Sequence, residues 1–546
     1  MTALLTLSEN VASHARTQPH KCGARDSKRQ LTYAQWNERA NRLANALLGL
    51  GLAKGDRVSL LAYNTIEWLE IYTALARAGL VAVPINFRLA GPEIAYIVQH
   101  SEARALIVQD ALRASVEAVR NELTVPTANW VHFGTEIPPE GWRGFEALIG
   151  AALETAPNVA VKPDDLFALM YTSGTTGRPK GAMRSHAGNA LIALCTALEF
   201  GLTRDDNALL VMPLCHANSL YFSVTFTMLG ATIVVDDRRS FDPEAVLATL
   251  ARERITFTSL VPTHYIMMID LPEAVKSAHD LHAVGKLLIS SAPARRETKL
   301  SILKLFPNGR LFELYGSTEA GWVTVLRPDE QIDHLGSVGR EWAGSGAIRL
   351  LDEHRREVAD GEVGELFSRT PWVFDGYWKN AEKTAECFHW PPGLGPAEPA
   401  PRGGEGSRGT RDSFDGAWCS VGDMARRDEQ GFIYLVDRKS NMIISGGENI
   451  YPSEVESVLA GHPAVQDVAV IGVPDTKWGE AVLAVVVPRG DEPHDHLAEQ
   501  LTAWCRERMA GFKRPKRYLF VGEAQMPRTA TGKIQHRRLR DRLQSS

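Results

Sequence analysis

The stretch Tyr171-Thr-Ser-Gly-Thr-Thr-Gly-Arg-Pro-Lys-Gly-Ala-Met183 is the part of this chain around which its other motifs are arranged. An apolar run, residues 166–170, leads into it and predicts a buried strand. The stretch then supplies hydroxyls, glycines and a cation, at Thr172, Ser173, Gly174, Thr175, Thr176, Gly177 and Lys180. Glycines let backbone N–H groups turn toward an anion, and hydroxyls add donors without bulk. This composition predicts a loop that binds the phosphates of a nucleotide.

Two other interpretations of this loop have to be considered. It is not a Walker P-loop, because Pro179 stands where the pattern G-x-x-x-x-G-K-[ST], counted from Gly174, requires its second glycine. A plain Ser/Thr/Gly surface loop has the same composition and stays open on this stretch alone. Motifs elsewhere in the chain therefore have to decide between a phosphate-binding loop and a plain surface loop.

Length and composition narrow the class of protein. With 546 residues, the chain is too long for one ordinary domain and predicts two to four units. Its 44% hydrophobic and 23% charged residues are typical of a soluble globular protein. A net charge of −5 gives no electrostatic reason to expect a nucleic-acid or anionic-membrane partner. No apolar run reaches the ~18 residues of a transmembrane segment, and the N-terminus lacks a secretory signal pattern.

The six cysteines are scattered along the chain and form no C-x-x-C pair. Such spacing favours reduced thiols and argues against a zinc site. We therefore expect a cytoplasmic enzyme.

Predicted strands alternate with predicted helices over the first three hundred residues. The strands are expected at 57–62, 80–85, 105–108, 208–212, 232–235, 256–260 and 286–290, and helices at 66–78 and 91–100. Alternation of this kind predicts mostly parallel sheets covered by helices on both faces. A smaller unit follows from about residue 438, with strands at 468–473 and 481–487 and a helix at 495–509.

Three further motifs follow the first one along the chain. They are Phe312-Glu-Leu-Tyr-Gly-Ser-Thr-Glu319, then Ser420-Val-Gly-Asp423 with Asp437-Arg438, then Pro527-Arg-Thr-Ala-Thr-Gly-Lys-Ile534. Each alone has an ordinary structural explanation: a strand-end turn with an exposed acid, a Gly-Asp turn, and a solvent-exposed lysine. Their order and the long segment 437–452 between them carry more weight than any one of them.

Taken together, these motifs resemble those of the acyl-adenylate-forming (AMP-binding) superfamily, in its acyl-CoA synthetase branch. The resemblance covers most of the chain, residues 30–540. It implies an α/β fold: a large N-terminal α/β domain with mostly parallel sheets, residues 1–437, and a small mobile C-terminal α/β domain, residues 438–546. It also implies an AMP-forming acid–CoA ligase that uses ATP, Mg²⁺ and coenzyme A.

The resemblance implies a role for each motif residue. Phosphate and nucleotide contacts are implied for the first loop and for Ser291, Ala292, Pro293, Glu313, Leu314, Tyr315, Gly316 and Ser317. Tyr315 would stack on adenine, and Thr318 would contact the α-phosphate. Glu319 and Thr176 would hold Mg²⁺, since a hard cation prefers oxygen ligands. Asp423 would accept the ribose hydroxyls with the assistance of Arg438, as acidic residues do in dinucleotide folds.

Lys533 and His216 complete the implied catalytic set, which also includes Thr318 and Glu319, and one further binding role is implied. Lys533 would bridge the substrate carboxylate and the α-phosphate, where a fixed cation lowers the barrier between two anions. His216 would line or gate the acyl pocket, although a lone histidine is more often structural. Ser445, Gly446 and Gly447 would admit the pantetheine arm, because glycine permits close backbone approach. Small-domain rotation about 438–440 would exchange Lys533 for this glycine loop.

This chain departs from the usual family pattern at several positions. Ser290 and Ser291 replace glycines, Val421 replaces a threonine, and Ser440-Asn441 replaces Lys-Asp. The Pro/Gly-rich stretch 391–411 resembles an insertion and is expected to be a mobile surface loop, with a partner-binding role as the alternative. The basic run 513–517 is either a solvated face or a receptor for coenzyme A phosphates.

The motifs do not determine which acid is the substrate or whether the chain forms a dimer. Tyr221, Phe222 and Trp322 indicate an apolar or aromatic-lined pocket, which an inward-pointing Trp322 would shorten. We therefore expect a small-molecule fatty, alicyclic or aromatic carboxylic acid. The alternatives are loading of a carrier protein, non-catalytic acyl-AMP binding, luciferase-type oxygenation and generic NTP hydrolysis. A homodimer is left open.

Overall fold

The computed structural model describes residues 6–172, 179–290, 294–390, 416–445, 448–490, 493–528 and 533–544. The chain divides into two compact units. Unit 1 comprises Met1–Ala347 and Ser368–Cys419, and unit 2 comprises Ile348–Phe367 and Ser420–Ser546. Unit 2 thus includes segments that precede the predicted domain boundary at 437/438, and that boundary stays a prediction.

We number the elements in chain order. The strands up to residue 341 are β1 (Cys22–Arg25), β2 (Gln30–Thr32), β3 (Arg57–Leu61), β4 (Val81–Ile85), β5 (Ala103–Gln109), β6 (Trp130–Phe133), β7 (Arg143–Gly144), β8 (Leu166–Thr172), β9 (Lys180–Ser185), β10 (Asn207–Leu210), β11 (Thr232–Val235), β12 (Phe257–Leu260), β13 (Lys286–Ile289), β14 (Arg310–Ser317), β15 (Gly321–Leu326) and β16 (Arg340–Glu341). The later strands are β17 (Gly346–Leu351), β18 (Gly364–Arg369), β19 (Phe388–His389), β20 (Trp418–Cys419), β21 (Asp423–Arg427), β22 (Ile433–Arg438), β23 (Ile443–Ser445), β24 (Glu448–Ile450), β25 (Val465–Asp475), β26 (Gly479–Pro488) and β27 (Arg517–Phe520).

The helices are α1 (Leu7–Thr17), α2 (Tyr33–Gly49), α3 (Glu67–Ala78), α4 (Gly91–His100), α5 (Arg113–Glu117), α6 (Phe145–Ala151), α7 (His186–Phe200), α8 (Ala217–Leu229), α9 (Pro243–Arg252), α10 (Pro262–Ile269), α11 (Glu273–Ser277), α12 (Arg296–Leu305), α13 (Ala381–Cys387), α14 (Pro452–Ala460), α15 (His494–Arg508) and α16 (His536–Gln544). Within the described ranges, none of these helices combines the length and apolar character needed to cross a bilayer.

Unit 1 is built on two large sheets. One has the strand order β16-β15-β14-β13-β12-β10-β11-β1-β2, and its central strands from β14 to β1 pair in parallel. The other has the order β7-β6-β5-β3-β4-β8-β9 and is parallel except for the β8–β9 pair. Parallel strands are connected through helices that cover the faces of the sheets, so these strands are buried on both sides. Strand β3 shows this, since residues 58–61 are all buried.

The main core of unit 1 involves both sheets and the helices α2, α3, α7 and α8. Large aromatic side chains such as Trp36, Trp68, Tyr72 and Trp372 are almost completely buried in it. Buried polar atoms of these side chains have partners: Trp36 Nε1 donates to Leu69 O at 3.2 Å, and Tyr72 OH donates to Leu214 O at 3.0 Å. Partners of this kind remove the cost of burying an indole or phenol.

Unit 2 contains a separate mixed sheet with the order β24-β23-β26-β25, and β27 pairs in parallel with β26. The long β25–β26 hairpin separates two apolar clusters, one with α14 and α15 and one with α16. Strands β21 and β22 pair antiparallel, which places Asp423 directly opposite Arg438.

The predicted fold class is confirmed. Helix α4 and strand β11 have the predicted bounds, and the other listed strands and helices differ from their predictions by one to three residues at one or both ends. Differences of this size are expected where helices fray or where sheet pairing, rather than local sequence, ends a strand.

Candidate active site

The turn between β14 and β15 presents two of the predicted site residues, Thr318 and Glu319. Its tight geometry depends on glycine at both ends. A Cβ at Gly316 would collide with the carbonyl of Gly321, and Gly321 itself has φ +69° with the Trp372 ring against its α-carbon. An L-side chain is strained at such a φ. Ser317 Oγ accepts from Ala320 N at 2.9 Å, which further restricts the turn.

Three groups hold the main chain of this turn. Tyr221 OH donates to Thr318 O at 3.3 Å, and Phe374 N donates to Glu319 O at 2.7 Å. Arg184 Nη1 lies 3.5 Å from Thr318 O and 3.4 Å from Glu319 O. Arg184 is only 1% exposed, and its guanidinium lies 5.2 Å from the centre of the Tyr221 ring.

The Glu319 carboxylate is itself buried and hydrogen-bonded. Its Oε1 accepts from Tyr377 OH at 2.8 Å and from Thr172 Oγ1 at 3.2 Å. Burial and the adjacent Glu319 charge raise the pKa of Tyr377 far above the range in which a phenol ionises near neutral pH. Tyr377 therefore acts as a neutral donor, and the carboxylate keeps oxygen lone pairs for a cation.

Lys180 connects the first motif to Tyr377, which donates to the Glu319 carboxylate. Its Nζ lies 4.2 Å from the centre of the Tyr377 ring, which is a cation–π contact. The segment that carries Tyr377 runs along β9: Asp375 N donates to Met183 O at 3.0 Å, and Trp378 N donates to Gly181 O at 2.8 Å. The structure therefore brings Thr172, Lys180, Thr318 and Glu319 together in unit 1.

Aromatic side chains fill the space behind this turn. Trp322 packs edge-on against Tyr221 with ring centres 5.1 Å apart, and lies 5.6 Å from Phe222. Its Nε1 donates to Thr196 Oγ1 in α7 at 3.0 Å. All three aromatic residues are at most 4% exposed, so Trp322 points into the interior of unit 1.

His216 stands immediately before α8, at the N-cap position, and makes no side-chain capping bond. Its Nε2 is buried and has no hydrogen-bond partner in the part of the chain that the structure describes. Burial lowers its pKa to about 4, and the nearby Arg88 charge acts in the same direction. The ring is therefore neutral at pH 7 and suits an apolar surrounding better than proton transfer.

In unit 2, Asp423 and Arg438 form an ion pair with 3.1 Å between Oδ1 and Nε. Lys533 as a whole is exposed, yet desolvation of its ammonium lowers its pKa, Arg438 acts in the same direction, and Asp423 opposes the shift. The three predicted residues thus lie in one electrostatic neighbourhood. Ser445, at the end of β23, is buried and opposite Gly479.

Comparison with known proteins identifies the family. Residues 11–378 match the family model described as AMP-binding enzyme, and residues 454–533 match its C-terminal domain. Feruloyl-CoA synthase of Amycolatopsis sp is 37% identical over 525 residues, which is 95% of each chain. Indoleacetate–CoA ligase of Aromatoleum aromaticum is 34% identical and covers 97% of this chain and 96% of that protein. The chain belongs to the acyl-CoA synthetase branch of the AMP-binding enzymes.

A solved structure agrees with this assignment. The anthranilate CoA ligase AuaEII in complex with anthranoyl-AMP superimposes with a TM-score of 0.84 at 28% identity, covering 99% of this chain and 97% of that one. The acyl-CoA synthetases are acid–thiol ligases, and ATP is the nucleotide of this AMP-binding family. The predicted family, fold class and enzyme class are therefore confirmed.

Several residues predicted to bind in this AMP-binding enzyme lie outside the described residues. They are Ser173, Gly174, Thr175, Thr176, Gly177, Ser291, Ala292, Pro293, Gly446 and Gly447, and the predicted insertion 391–411 lies there as well. Their roles stay predictions.

Glu313 is one predicted nucleotide contact whose side chain has another partner. Its carboxylate pairs with Lys299 Nζ at 2.7 Å, and both side chains are at most 3% exposed. Burial raises the pKa of Glu313, while Lys299 opposes that shift. A nucleotide contact here would have to come from the main chain, as it would for the buried neighbour Leu314. Tyr315 and Ser317 in the same strand are partly exposed.

Sequence reasoning missed two residues of this synthetase site, Arg184 and Tyr377. Arg184 is a charged residue in the otherwise uncharged segment 181–198 that follows Lys180, and this isolation was a usable signal. Tyr377 lies in the aromatic run Trp372-Val-Phe-Asp-Gly-Tyr-Trp378, far from any predicted motif. Only the pairing of this run with β9 connects it to Glu319.

Proposed function

We propose that this synthetase activates a compact aromatic carboxylic acid as its acyl-AMP and then transfers the acyl group to coenzyme A. The observation that carries the choice of acid is the position of Trp322. Its indole packs against Tyr221, whose OH donates to Thr318 O, and is hydrogen-bonded to Thr196. An indole held in this way would leave little room for a long acyl chain behind Thr318. Aromatic walls also favour a planar ring, through edge-to-face and offset packing.

The three relatives reported above support this choice of acid. By their names, the two relatives above act on ferulate and indoleacetate, and the solved ligase holds anthranoyl-AMP. All three acids carry an aromatic ring. The neutral His216 at the start of α8 would add an uncharged surface to the acyl pocket.

The first half-reaction joins two anions. A carboxylate oxygen of the acid attacks the α-phosphorus of ATP, the bond to the bridging oxygen breaks, and pyrophosphate leaves. We assign Lys533 as the cation between carboxylate and α-phosphate, with Thr318 as a donor to that phosphate and Lys180 with the loop 173–178 at the other phosphates. Fixed charges of this kind stabilise the transition state because they need no reorganisation during the reaction.

Nucleotide recognition is assigned to Tyr315, Asp423 and Arg438. Tyr315 would stack on adenine, and Asp423, held by Arg438, would accept from the ribose hydroxyls. In the second half-reaction the thiolate sulfur of coenzyme A attacks the acyl carbonyl, the bond between that carbon and the phosphate oxygen breaks, and AMP leaves. Ser445, Gly446 and Gly447 are assigned to the pantetheine arm, and rotation of the small domain about 438–440 would separate the two half-reactions.

The residues present fit Mg²⁺. Glu319 is a buried carboxylate with two donors on one oxygen, and a magnesium ion in such enzymes needs only one or two carboxylates besides phosphates and water. Within the described residues no cluster of three or more His, Cys, Asp or Glu side chains could hold a metal by itself. When bound, Mg²⁺ supplies positive charge at the phosphates, and Glu319 with Thr176 would hold it.

All six cysteines are free thiols, which supports our proposal of a reducing, cytoplasmic location. Whether the enzyme forms a homodimer in solution is a separate prediction, which sedimentation of the purified protein would test.

The decisive experiment measures ATP-dependent pyrophosphate release with benzoate, cinnamate, ferulate, cyclohexanecarboxylate, acetate, octanoate and palmitate, each with and without coenzyme A. We expect release to be greatest with an aryl acid, and acyl-CoA to form only when coenzyme A is present. Preference for palmitate or acetate would contradict the proposed acid. Adenylation without acyl-CoA would indicate a carrier-protein acceptor, and AMP binding without any turnover would indicate a non-catalytic protein.

A further inference from the structure

An isolated antiparallel β-bridge in unit 2 joins the residues on either side of the segment that ends at Lys533, and we call residues 527–535 the Lys533 hairpin. Arg528 and Ile534 form a β-bridge, and Gln535 N donates to Pro527 O at 2.8 Å. Residues 529–532 lie outside the described part of the chain. Lys533 is therefore directly adjacent to a closed, hydrogen-bonded base.

Two ion pairs attach this base to the rest of unit 2. On one side, Arg528 pairs with Asp467 of β25. On the other side, His536 Nε2 donates to Glu456 Oε1 of α14 at 2.6 Å. The same Glu456 oxygen accepts from Val470 N of β25 at 2.7 Å. Glu456, a residue of α14, therefore joins the end of the hairpin to strand β25.

The His536–Glu456 pair is largely shielded from solvent, with 16% and 20% of the side chains exposed. Burial alone would lower the pKa of His536, but the hydrogen bond and charge of Glu456, together with Asp437, raise it above its ordinary value. His536 is thus favoured as a cation that donates to a carboxylate, which is the stronger kind of hydrogen bond.

The first turn of helix α14 is also attached to the segment of the predicted pivot. Ser453 N donates to Asp437 Oδ2 at 2.9 Å, and Asn441 Nδ2 donates to Asp437 Oδ1 at 3.1 Å. One helix thus connects the segment 437–441 to the Lys533 hairpin. The hairpin cannot shift relative to that segment without breaking the His536–Glu456 pair or moving α14.

We propose that His536 is a positioning residue for adenylation: its pair with Glu456 holds the hairpin base so that Lys533 is presented in a defined position. The inference rests on the proposed role of Lys533. Because a displacement of about 1 Å can cost about 100-fold in rate, loss of the pair should impair the half-reaction that uses Lys533. The thioester half-reaction does not use Lys533 and should be spared.

The apolar packing of α16 separates this role from simple folding. Leu539 and Met526 are each 4% exposed and pack in one cluster with Ala469, Ile471, Leu483 and other residues of the β25–β26 hairpin. This cluster should keep α16 in place when the polar pair is removed. The expected defect is therefore a loss of precision at Lys533, not a loss of the helix.

The test compares two half-reactions in the full-length enzyme, with the aryl acid that turns over best in the panel above. Adenylation is followed as ATP–pyrophosphate exchange, and thioester formation as acyl-CoA made from the chemically prepared acyl-AMP of the same acid. We expect His536→Ala and Glu456→Gln to lower adenylation by about 10- to 100-fold and to change thioester formation by less than about 3-fold. His536→Arg should restore most adenylation, since a guanidinium can donate to Glu456.

Asp541→Asn is the matched control, because Asp541 lies on the same helix in an exposed pair with Arg537. It should leave both half-reactions unchanged. An equal loss of both half-reactions in His536→Ala would show a general structural role and overturn the proposal. Normal adenylation in His536→Ala, with adenylation lost in Lys533→Ala, would also overturn it. Normal adenylation in Lys533→Ala would instead refute the proposed role of Lys533, and the inference with it.

Discussion

The two charged groups assigned to adenylation, the Glu319 carboxylate in unit 1 and the Lys533 ammonium in unit 2, are held in opposite ways. Glu319 is 7% exposed, and two side chains donate to its carboxylate while Phe374 N donates to its carbonyl. Lys533 is exposed, and the contacts that hold its hairpin are made by its neighbours Arg528 and His536.

This difference has a physical consequence. A buried acid inside a hydrogen-bonded turn is preorganised, so its position is determined by the core around it. Lys533 depends instead on ion pairs that its neighbours make, so the loss of one such pair can displace it while the apolar cluster beside it stays intact. Four predictions test this contrast, from the largest expected effect to the smallest.

Removal of the Lys533 charge should have the largest effect. Lys533→Ala is expected to reduce ATP–pyrophosphate exchange by about 100- to 1,000-fold, because a charge-stabilising group is lost from the transition state. Acyl-CoA formation from supplied acyl-AMP should stay within a few-fold of wild type. Lys477→Ala, at another exposed lysine of unit 2, serves as the control. Equal loss of both half-reactions would contradict the assigned role.

Removal of the Glu319 charge should come next. Glu319→Gln keeps an oxygen that can accept from Thr172 and Tyr377, so the melting temperature should change little. Adenylation is expected to fall by about 100-fold and to require more Mg²⁺, since an amide is a poor ligand for that ion. Tyr377→Phe leaves the carboxylate and should cost about 10-fold or less. A titration of adenylation activity against Mg²⁺ measures the requirement of each variant for the ion. An unchanged Mg²⁺ requirement in Glu319→Gln would refute the role of Glu319 in holding the metal.

A smaller effect is expected from opening the acyl pocket. Trp322→Leu removes part of the aromatic wall behind Thr318 and should raise the ratio of kcat/KM for octanoate over cinnamate by about 10-fold or more. Trp342→Leu, at another buried tryptophan 6.1 Å from Trp322, controls for the loss of core volume. If both variants change the ratio equally, Trp322 does not determine acid size.

The smallest effect concerns stability against acid in unit 1. His186 is 2% exposed, and burial lowers its pKa to about 4 from 6.5, with Asp165 opposing and Lys54 assisting the shift. The unfolded chain therefore binds a proton first as the pH falls, and stability is lost between pH 6.5 and 4. The loss from this residue at pH 5 is about 2 kcal/mol, or about 2 °C in melting temperature.

Melting temperatures of wild type and His186→Gln at pH 7.5 and pH 5 measure this effect. The decrease between the two pH values should be smaller in the variant by about 2 °C. Identical decreases in the two proteins would show that protonation of His186 does not cause the loss of stability at low pH.

Much of the fold could be predicted because its signals are local. The apolar run before Tyr171, the alternation of strands with helices and the four motifs all lie in contiguous sequence, and the family followed from their order. The sequence also indicated that Tyr221, Phe222 and Trp322 share a pocket. It did not indicate the direction of the indole, because a β-bulge between Tyr315 and Gly316 changes which side chains share a face.

The remaining site residues were decided by contacts between distant segments. Tyr377 reaches Glu319 only because its segment pairs with β9, and Arg184 reaches Thr318 only because β9 lies beside the β14–β15 turn. Glu313 shows the reverse case, since a residue inside a motif directs its carboxylate to Lys299. His536 follows the last motif by two positions, yet its partner Glu456 is 80 residues away in sequence.

By itself, therefore, the sequence determined the fold class, the family and the residues whose chemistry is needed, because local propensity and short motifs do not depend on distant contacts. Only the tertiary structure decided which of those side chains meet, which are occupied elsewhere and which neighbours support them. The physical reason is that the direction and charge state of a side chain depend on packing and burial, and both are properties of the folded chain as a whole.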